Sequence, residues 1–491
     1  MSGAPSSNGV VTANGPYEAR DARRGVAAVG RAAPHPRTVR LVATAVAVLV
    51  AVSAAVTAGA AIGDGGSKAE VVIPIGLALG LALAGLAAAR FDLFVATVLV
   101  LRASLDVAKL GTSSIDAPGA ISGLFIVAGL LWLVSKRSQD AAVEKSPLVA
   151  PVVALVVAGA LSTIFSPVPF TSAVETVRIA TVAVILAVLN RLLVDWRHIR
   201  LILIAVFASS IVPVGIGVYQ VVHGLGRSLR TGLTRIDGTF VHPNPFAFYL
   251  FLLIVLGVAL YPYLYNRARR VMLVALMAWG GLLLMTYARG ALIAAIVGMF
   301  VIGAIRDKRW IPVIAVCLLA LYLFVPSLTT RFDDLSRTTT PSGAAGNSLE
   351  WRLRYWGETL ALAKNPAFGI GLKAVETETT AERQPHNDFL RVYIETGLVG
   401  LAAYLWFIWS LAAAARRTRE STRGGPARAL ALAFTASVIG FVLLSATGNI
   451  ISQLVILWYF GAIASAAIAA ARLNVSGADE DFEPSLTAAR V

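Results

Sequence analysis

The chain reads as an all-α, polytopic transmembrane helical bundle of about 14 spans, with a large outer loop that holds an amphipathic helix. Three observations predict this. Hydrophobic residues make up 57% of 491, charged residues 14%, and mean hydropathy is +0.76; soluble chains are roughly 45–50% apolar and about 25% charged. The apolar runs are continuous rather than alternating, which favours helices over a barrel. Basic residues recur between the runs in the pattern of cytoplasmic loops.

Residues 1–38 are rich in Ala, Gly, Pro, Ser and Arg, with little apolar periodicity. They read as a disordered, basic cytoplasmic tail that touches anionic lipid headgroups, too polar for a cleaved signal peptide. Residues 39–472 form one transmembrane domain, with apolar runs at 39–62, 71–89, 91–105, 119–135, 147–165, 172–190, 199–222, 245–265, 271–288, 289–305, 310–325, 388–413, 428–447 and 450–471. The run 91–105 is the shortest. Residues 473–491, with Asp479-Glu480-Asp481, read as a second disordered cytoplasmic tail.

Orientation follows from Lys136-Arg137, Arg191/Arg197/Arg200, Arg267/Arg269/Arg270, Arg306/Lys308/Arg309 and Arg416/Arg417/Arg419/Arg423. Counting from a cytoplasmic N-terminus puts every cluster inside, and both termini with them. One false or missed span would flip the later clusters outside. The net charge of +15 is largely this topology signal and needs no nucleic-acid partner. Cys317 is the single cysteine, so no internal disulfide forms, and no metal-ligand spacing is present.

Two outer connections are long, 223–244 and 326–387. Loops of such length in a compact protein are usually functional or disordered. Within the second, LEWRLRYWGETLALAK (349–364) sets Leu349, Leu353, Trp356, Leu360 and Ala363 at helical spacing, with Arg352, Arg354 and Glu358 off that stripe. The spacing predicts an amphipathic helix on the outer membrane surface or over the bundle. NPAFGIG (365–371) then stops it. The long loop balances seven basic against seven acidic residues. The shorter one sets Arg227, Arg230 and Arg235 against Asp237 alone, contrary to the positive-inside trend. An anionic ligand at the outer face explains that excess; a tolerated loop explains it too.

Ionisable groups close to hydrocarbon suggest a functional site. Arg289 lies at the outer turn between two predicted helices, with no acid within a helical turn. Arg178 lies inside run 172–190, three residues after Glu175, which can neutralise it. His386, Asn387 and Asp388 stand where a loop meets the membrane, and Asn387 or Asp388 can cap the helix that follows. Arg391 and Glu395 share one face of it, as a ligand site or a buried structural pair. His242 and His223 are outside by the same count and compete with His386 for any role as a base. Tyr249, Trp356 and Tyr393 are candidates for stacking on sugars.

RIDGTFVHPNPFAFYL (235–250), YARGAL (287–292), RLRYW (352–356) with NPAFGIGL (365–372), and HNDFLRVYIETGLVGLAAYL (386–405) occur in that order. Together they resemble the O-antigen ligase / O-antigen polymerase superfamily of bacterial polytopic membrane glycosyltransferases. The resemblance covers roughly residues 140–470 and departs from the usual Ser-Arg-Gly form at Ala288. It implies a fold similar to C-class glycosyltransferases, and transfer of a glycan from an undecaprenyl-pyrophosphate-type donor to a hydroxyl of a glycan or lipid-glycan acceptor. The transfer would occur on the extracytoplasmic face of the bacterial plasma membrane, with no metal or other cofactor. Carried over by motif, Arg235 and Arg289 would bind the pyrophosphate and His386 would be the catalytic base. Arg178, Arg352, Arg391, Asn387 and His242 complete the candidate substrate-binding set.

Those residue types suit the chemistry. Breaking a glycosyl–phosphate bond builds charge on the leaving group, and Arg holds phosphate oxygens bidentately while staying protonated. A base near neutrality activates the acceptor hydroxyl, and His is the natural choice. The alternative class is a transporter or flippase for a lipid-linked glycan or other anion, which would set its binding groups near the midplane and often show repeats. No repeat is found, and the charges of interest fall at the outer face.

Overall fold

The computed structural model describes residues 68–106, 117–135, 146–228, 234–306, 308, 312, 348–379 and 384–475. The predicted runs 39–62 and 310–325, the N-terminal tail, residues 476–491, Cys317 and Arg230 lie outside them. Every other predicted run coincides with helix: α1 (Lys68–Ala89), α2 (Phe91–Ser104), α3 (Ala117–Ser135), α4 (Val149–Thr163), α5 (Pro169–Leu192), α6 (Trp196–Ala208), α7 (Ile211–Val222), α8 (Pro243–Leu260), α9 (Asn266–Met285), α10 (Arg289–Arg306), α13 (Asp388–Ser421), α14 (Gly425–Thr447) and α15 (Leu454–Val475). The run 199–222 is divided, because α6 and α7 meet at a turn through Ser209 and Ser210, whose hydroxyls bond back to the carbonyls of Val206 and Phe207.

Among the described residues, eight helical segments are long and apolar enough to cross a membrane, with shorter apolar helices beside them. The chain is a multi-pass, all-α membrane protein. α8, α14 and α15 form its centre and are the most buried. α14 and α15 are rich in Ala, Gly and Ser, and small side chains let helix backbones approach closely where hydrocarbon surroundings remove the hydrophobic drive. Tyr249 belongs to this core rather than to a sugar platform. It is fully buried, and its hydroxyl meets Ser209 at 2.5 Å.

The helix directions separate two ends. One gathers most of the Lys and Arg clusters. The other gathers the long connections and is called the loop end here. At the loop end, Arg227–Ser228 (β1) pairs antiparallel with Thr234–Arg235 (β2). Gln220 of α7 ties this hairpin down. Its amide donates to Asp237 Oδ1 at 2.8 Å, and its carbonyl accepts from the amides of Asp237 and Gly238.

The long loop supplies α11 (Ser348–Leu360) and the short α12 (Ala374–Glu378). The amphipathic helix exists, but its leucines do not face the bundle. Leu353 and Leu360 are 52% and 51% exposed, while Tyr355 and Thr359 are buried. Polar anchors set this orientation: the Tyr355 hydroxyl meets Thr379 Oγ1 at 2.6 Å, and Trp356 Nε1 donates to the Pro385 carbonyl at 2.6 Å. Next to lipid, an outward leucine loses nothing.

NPAFGIG does more than stop α11. Helix α13 is broken at Gly397 (φ 66°, ψ −164°), and residues 366–371 fill the break. The amides of Ile370 and Gly371 donate to the carbonyls of Ile394 and Glu395, at 3.1 and 2.9 Å. The amides of Leu398 and Val399 donate to Pro366 and Ala367, at 2.8 and 3.2 Å. Non-helical backbone at membrane depth persists only where protein satisfies its polar groups. A Cβ on Gly397 would lie 2.2 Å from the Ala367 carbonyl oxygen.

Candidate functional site

Arg235 reaches the site from the hairpin. Its Nε donates to the Thr286 carbonyl at 2.7 Å and its Nη2 to Asn244 Oδ1 at 2.7 Å. The first bond fixes Arg235 to the α9–α10 turn, which ends in Arg289. That turn holds Tyr287 at φ 50°, a left-handed conformation uncommon for a bulky residue. Arg227 points elsewhere and pairs with Asp237 at 3.4 Å. Of the described arginines in this hairpin loop, Arg235 is the one delivered to the turn.

Arg352 on α11 faces Arg289. Burial, and then the positive charge of Arg289, hold the Arg352 guanidinium below its usual pKa. The preceding residue, Trp351, stacks on Tyr355 and meets the His386 ring edge-on at 6.2 Å between centroids. Arg235, Arg289, Arg352 and His386, spread over some 150 residues of sequence by their numbers, thus lie on segments whose neighbouring residues meet at the loop end.

His386 has φ 55°, and its Nδ1 is 3.0 Å from Asn449 Nδ2. Asn387 is the cap of α13, its Oδ1 accepting from the Leu390 amide at 3.1 Å. Asp388 is not the cap. It is fully buried, and its Oδ2 accepts from the amides of Ile450 and Ile451 at 3.0 and 3.2 Å. His242 caps α8, with Nδ1 accepting from the Asn244 amide at 3.1 Å, so its ring proton sits on Nε2. That use of its lone pair disfavours His242 as the base. His223 is exposed, with Nδ1 donating to the Tyr219 carbonyl at 2.9 Å.

Arg391 is walled in. It is 2% exposed, 2.9 Å from Glu395 and 4.0 Å from Glu175. This enclosure corrects its placement among substrate-binding residues and matches the structural pair. Arg178 meets Glu175 at 3.4 Å on the network's edge, with its side chain 42% exposed. At the loop side of the network, burial pushes the Glu376 carboxyl up, but Lys373 and Arg391 hold it below its ordinary value. Removing Arg391 strands Glu395 and Glu175. Arg391→Met is expected to destabilise by about 3–5 kcal/mol, read as a fall in thermal unfolding temperature in detergent. The double change Arg391→Met/Glu395→Leu should recover part of that loss, and no recovery would refute the pairing.

Among the described residues, no three His, Cys, Asp or Glu side chains gather as metal ligands. Two open clefts, of about 470 and 500 Å³, lie at the opposite end. They are lined by Arg90, Arg197 and His198, and by Tyr261, Arg269 and Arg270.

Residues 272–405 match the family model for O-antigen ligase, so the O-antigen ligase/polymerase resemblance holds over that segment. The match implies glycosyl transfer of this type by a membrane enzyme, with lipid-linked glycan and polysaccharide partners. No curated protein matches the chain. Arg289, Arg352, His386, Asn387 and Arg391 fall inside the matched segment. Arg178, Arg235, His242 and Asn449 fall outside it and rest on geometry.

Proposed function

We propose that the chain transfers a glycan from an undecaprenyl-pyrophosphate-type lipid to a hydroxyl acceptor, without a metal, on the extracytoplasmic face of the bacterial plasma membrane. Both termini are then cytoplasmic, and the enzyme works as a cell-surface polysaccharide polymerase or ligase. One observation carries the reading: Trp351, next to Arg352 on α11, meets the His386 ring edge-on, while Arg235 is bonded to the turn that leads into Arg289. Like charges gathered in a half-buried place repel, and a bound polyanion relieves the repulsion. Arg289, Arg352 and Arg235 would hold the pyrophosphate as charge develops on it. His386 would take the proton from the acceptor hydroxyl as the glycosyl–phosphate bond breaks. Asn387, next to His386, would serve the binding region from its edge, and Arg178, half-exposed beside Glu175, would reach a bound glycan from the network's edge.

The test is transfer by purified protein in liposomes, from a polyprenyl-pyrophosphate-linked glycan to an added acceptor. Product is expected with millimolar EDTA present. Loss of product in EDTA, restored by Mg²⁺ or Mn²⁺, would overturn the metal-free arrangement and make Asp237 the first ligand candidate. Donor that crosses the bilayer with no bond broken would instead make the protein a flippase. In cells, deletion should leave either short repeats on lipid, for a polymerase, or full-length unattached polymer, for a ligase.

A further inference from the structure

We propose that Asn449 is a positioning residue that fixes the tautomer of His386, with its proton on Nδ1 and its lone pair on Nε2. This rests on the reading of His386 as the base. Residues 449–452, between α14 and α15, are tied to residues 384–388 at three levels. Ser452 Oγ donates to Gln384 Oε1 at 3.0 Å, Asn449 meets His386, and the amides of Ile450 and Ile451 donate to Asp388. Tyr404 adds a bond from its hydroxyl to Asp388 Oδ2 at 3.5 Å and meets Ser445 at 2.8 Å. A turn 63 residues away in sequence therefore forms the seat of the histidine. The seat also explains how His386 keeps a left-handed backbone, since such conformations persist only where the surroundings over-determine them.

The orientation of the Asn449 amide decides the chemistry. Its two ends have nearly the same shape, and hydrogen bonding decides which points where. With Nδ2 towards the ring, Nδ1 must accept, Nε2 carries the proton, and the ring has no basic lone pair to offer beyond Asn449. That orientation also leaves Asn449 Oδ1 buried with no hydrogen-bond partner among the described residues. Buried acceptors without donors are costly. Turning the amide over cures both faults. Oδ1 then accepts from Nδ1–H. The Nε2 lone pair is thereby set to receive the acceptor's proton.

The test is a tautomer measurement on the whole protein in lipid, labelled with ¹⁵N-histidine. The five histidines are assigned by single substitution, His386→Gln identifying the signal of interest. An Nδ1–H, Nε2-unprotonated pattern is expected for His386. Asn449→Ala should abolish that pattern and lower kcat at least about 10-fold, with the donor KM within about 3-fold. An Nε2–H pattern in the unsubstituted protein overturns the proposal, as does an unchanged pattern in Asn449→Ala. If Asn449→Ala does not fold, the unsubstituted protein alone decides. The expected tautomer in a protein that transfers no glycan would sink the enzymatic reading and leave the seat intact.

Discussion

His386→Ala is expected to cut glycan transfer by about 10²–10⁴-fold and to leave donor binding nearly intact. The reason is a division of labour at the loop end. His386 meets Trp351, the neighbour of Arg352 on α11, and the charge of Arg289 is felt at Arg352. A base acts on the acceptor, so its loss appears in turnover. The contrasting variant is Arg289→Lys, which keeps the charge but loses the planar fork that grips two phosphate oxygens. It should weaken donor binding in a protein that still folds. Binding and single-turnover rates must be measured together, because one activity number does not separate them. If His386→Ala abolishes donor binding, or turns over normally when folded, the assignment is wrong. His223 and His242 would be tested next.

Gly397→Ala should leave almost no folded protein. The residue combines φ 66° with a Cβ position 2.2 Å from a backbone oxygen, and that oxygen belongs to the segment that fills the helix break. Neither strand of the contact can retreat without losing the bonds from Leu398 and Val399. Opposing backbone cannot swing aside as a flexible side chain can. The cost should exceed about 4 kcal/mol, in the range reached only by a few severe mechanisms. Monodisperse protein recovered after detergent extraction measures it, with Leu398→Ala, at a 56% exposed position, as the control. Equal recovery of the two variants would show that the break is not rigid.

The helices were readable because hydrocarbon imposes long apolar runs, and every described run proved helical. The residues later found together at the loop end were readable as types: an arginine at an outer turn, a histidine before a span. Their partners were not. Asn449 sits in GNIISQ, which reads as an ordinary polar turn, and its significance comes from a residue 63 positions earlier. Asp388 carries the signature of a helix cap, yet its neighbour Asn387 takes that place and frees it to turn inward. The stripe of α11 left two placements open, on the membrane surface or over the bundle, because leucines mark a protein-facing side only where the other side is water; the exposed Leu353 and Leu360 fit the first. Glu175 and Arg391 are apart in sequence and meet only once α5 and α13 come together. The break at Gly397 left no periodic signature, because a run of apolar residues looks alike on either side of a kink.

The filled break in α13 also bears on biogenesis. Residues 366–371 leave the ribosome before the helix they complete, and they must be on the same side of the bilayer as the start of that helix when it arrives. Until they dock, four peptide groups around the break near the start of α13 have no partner. The seating of α13, and of the two helices that follow it, therefore waits on docking of the loop before them. A chain truncated after residue 421 should hold this loop protease-protected by its docked segment, while one with residues 366–371 replaced by a Gly-Ser linker should be cut there and fail to retain α13 in the bilayer.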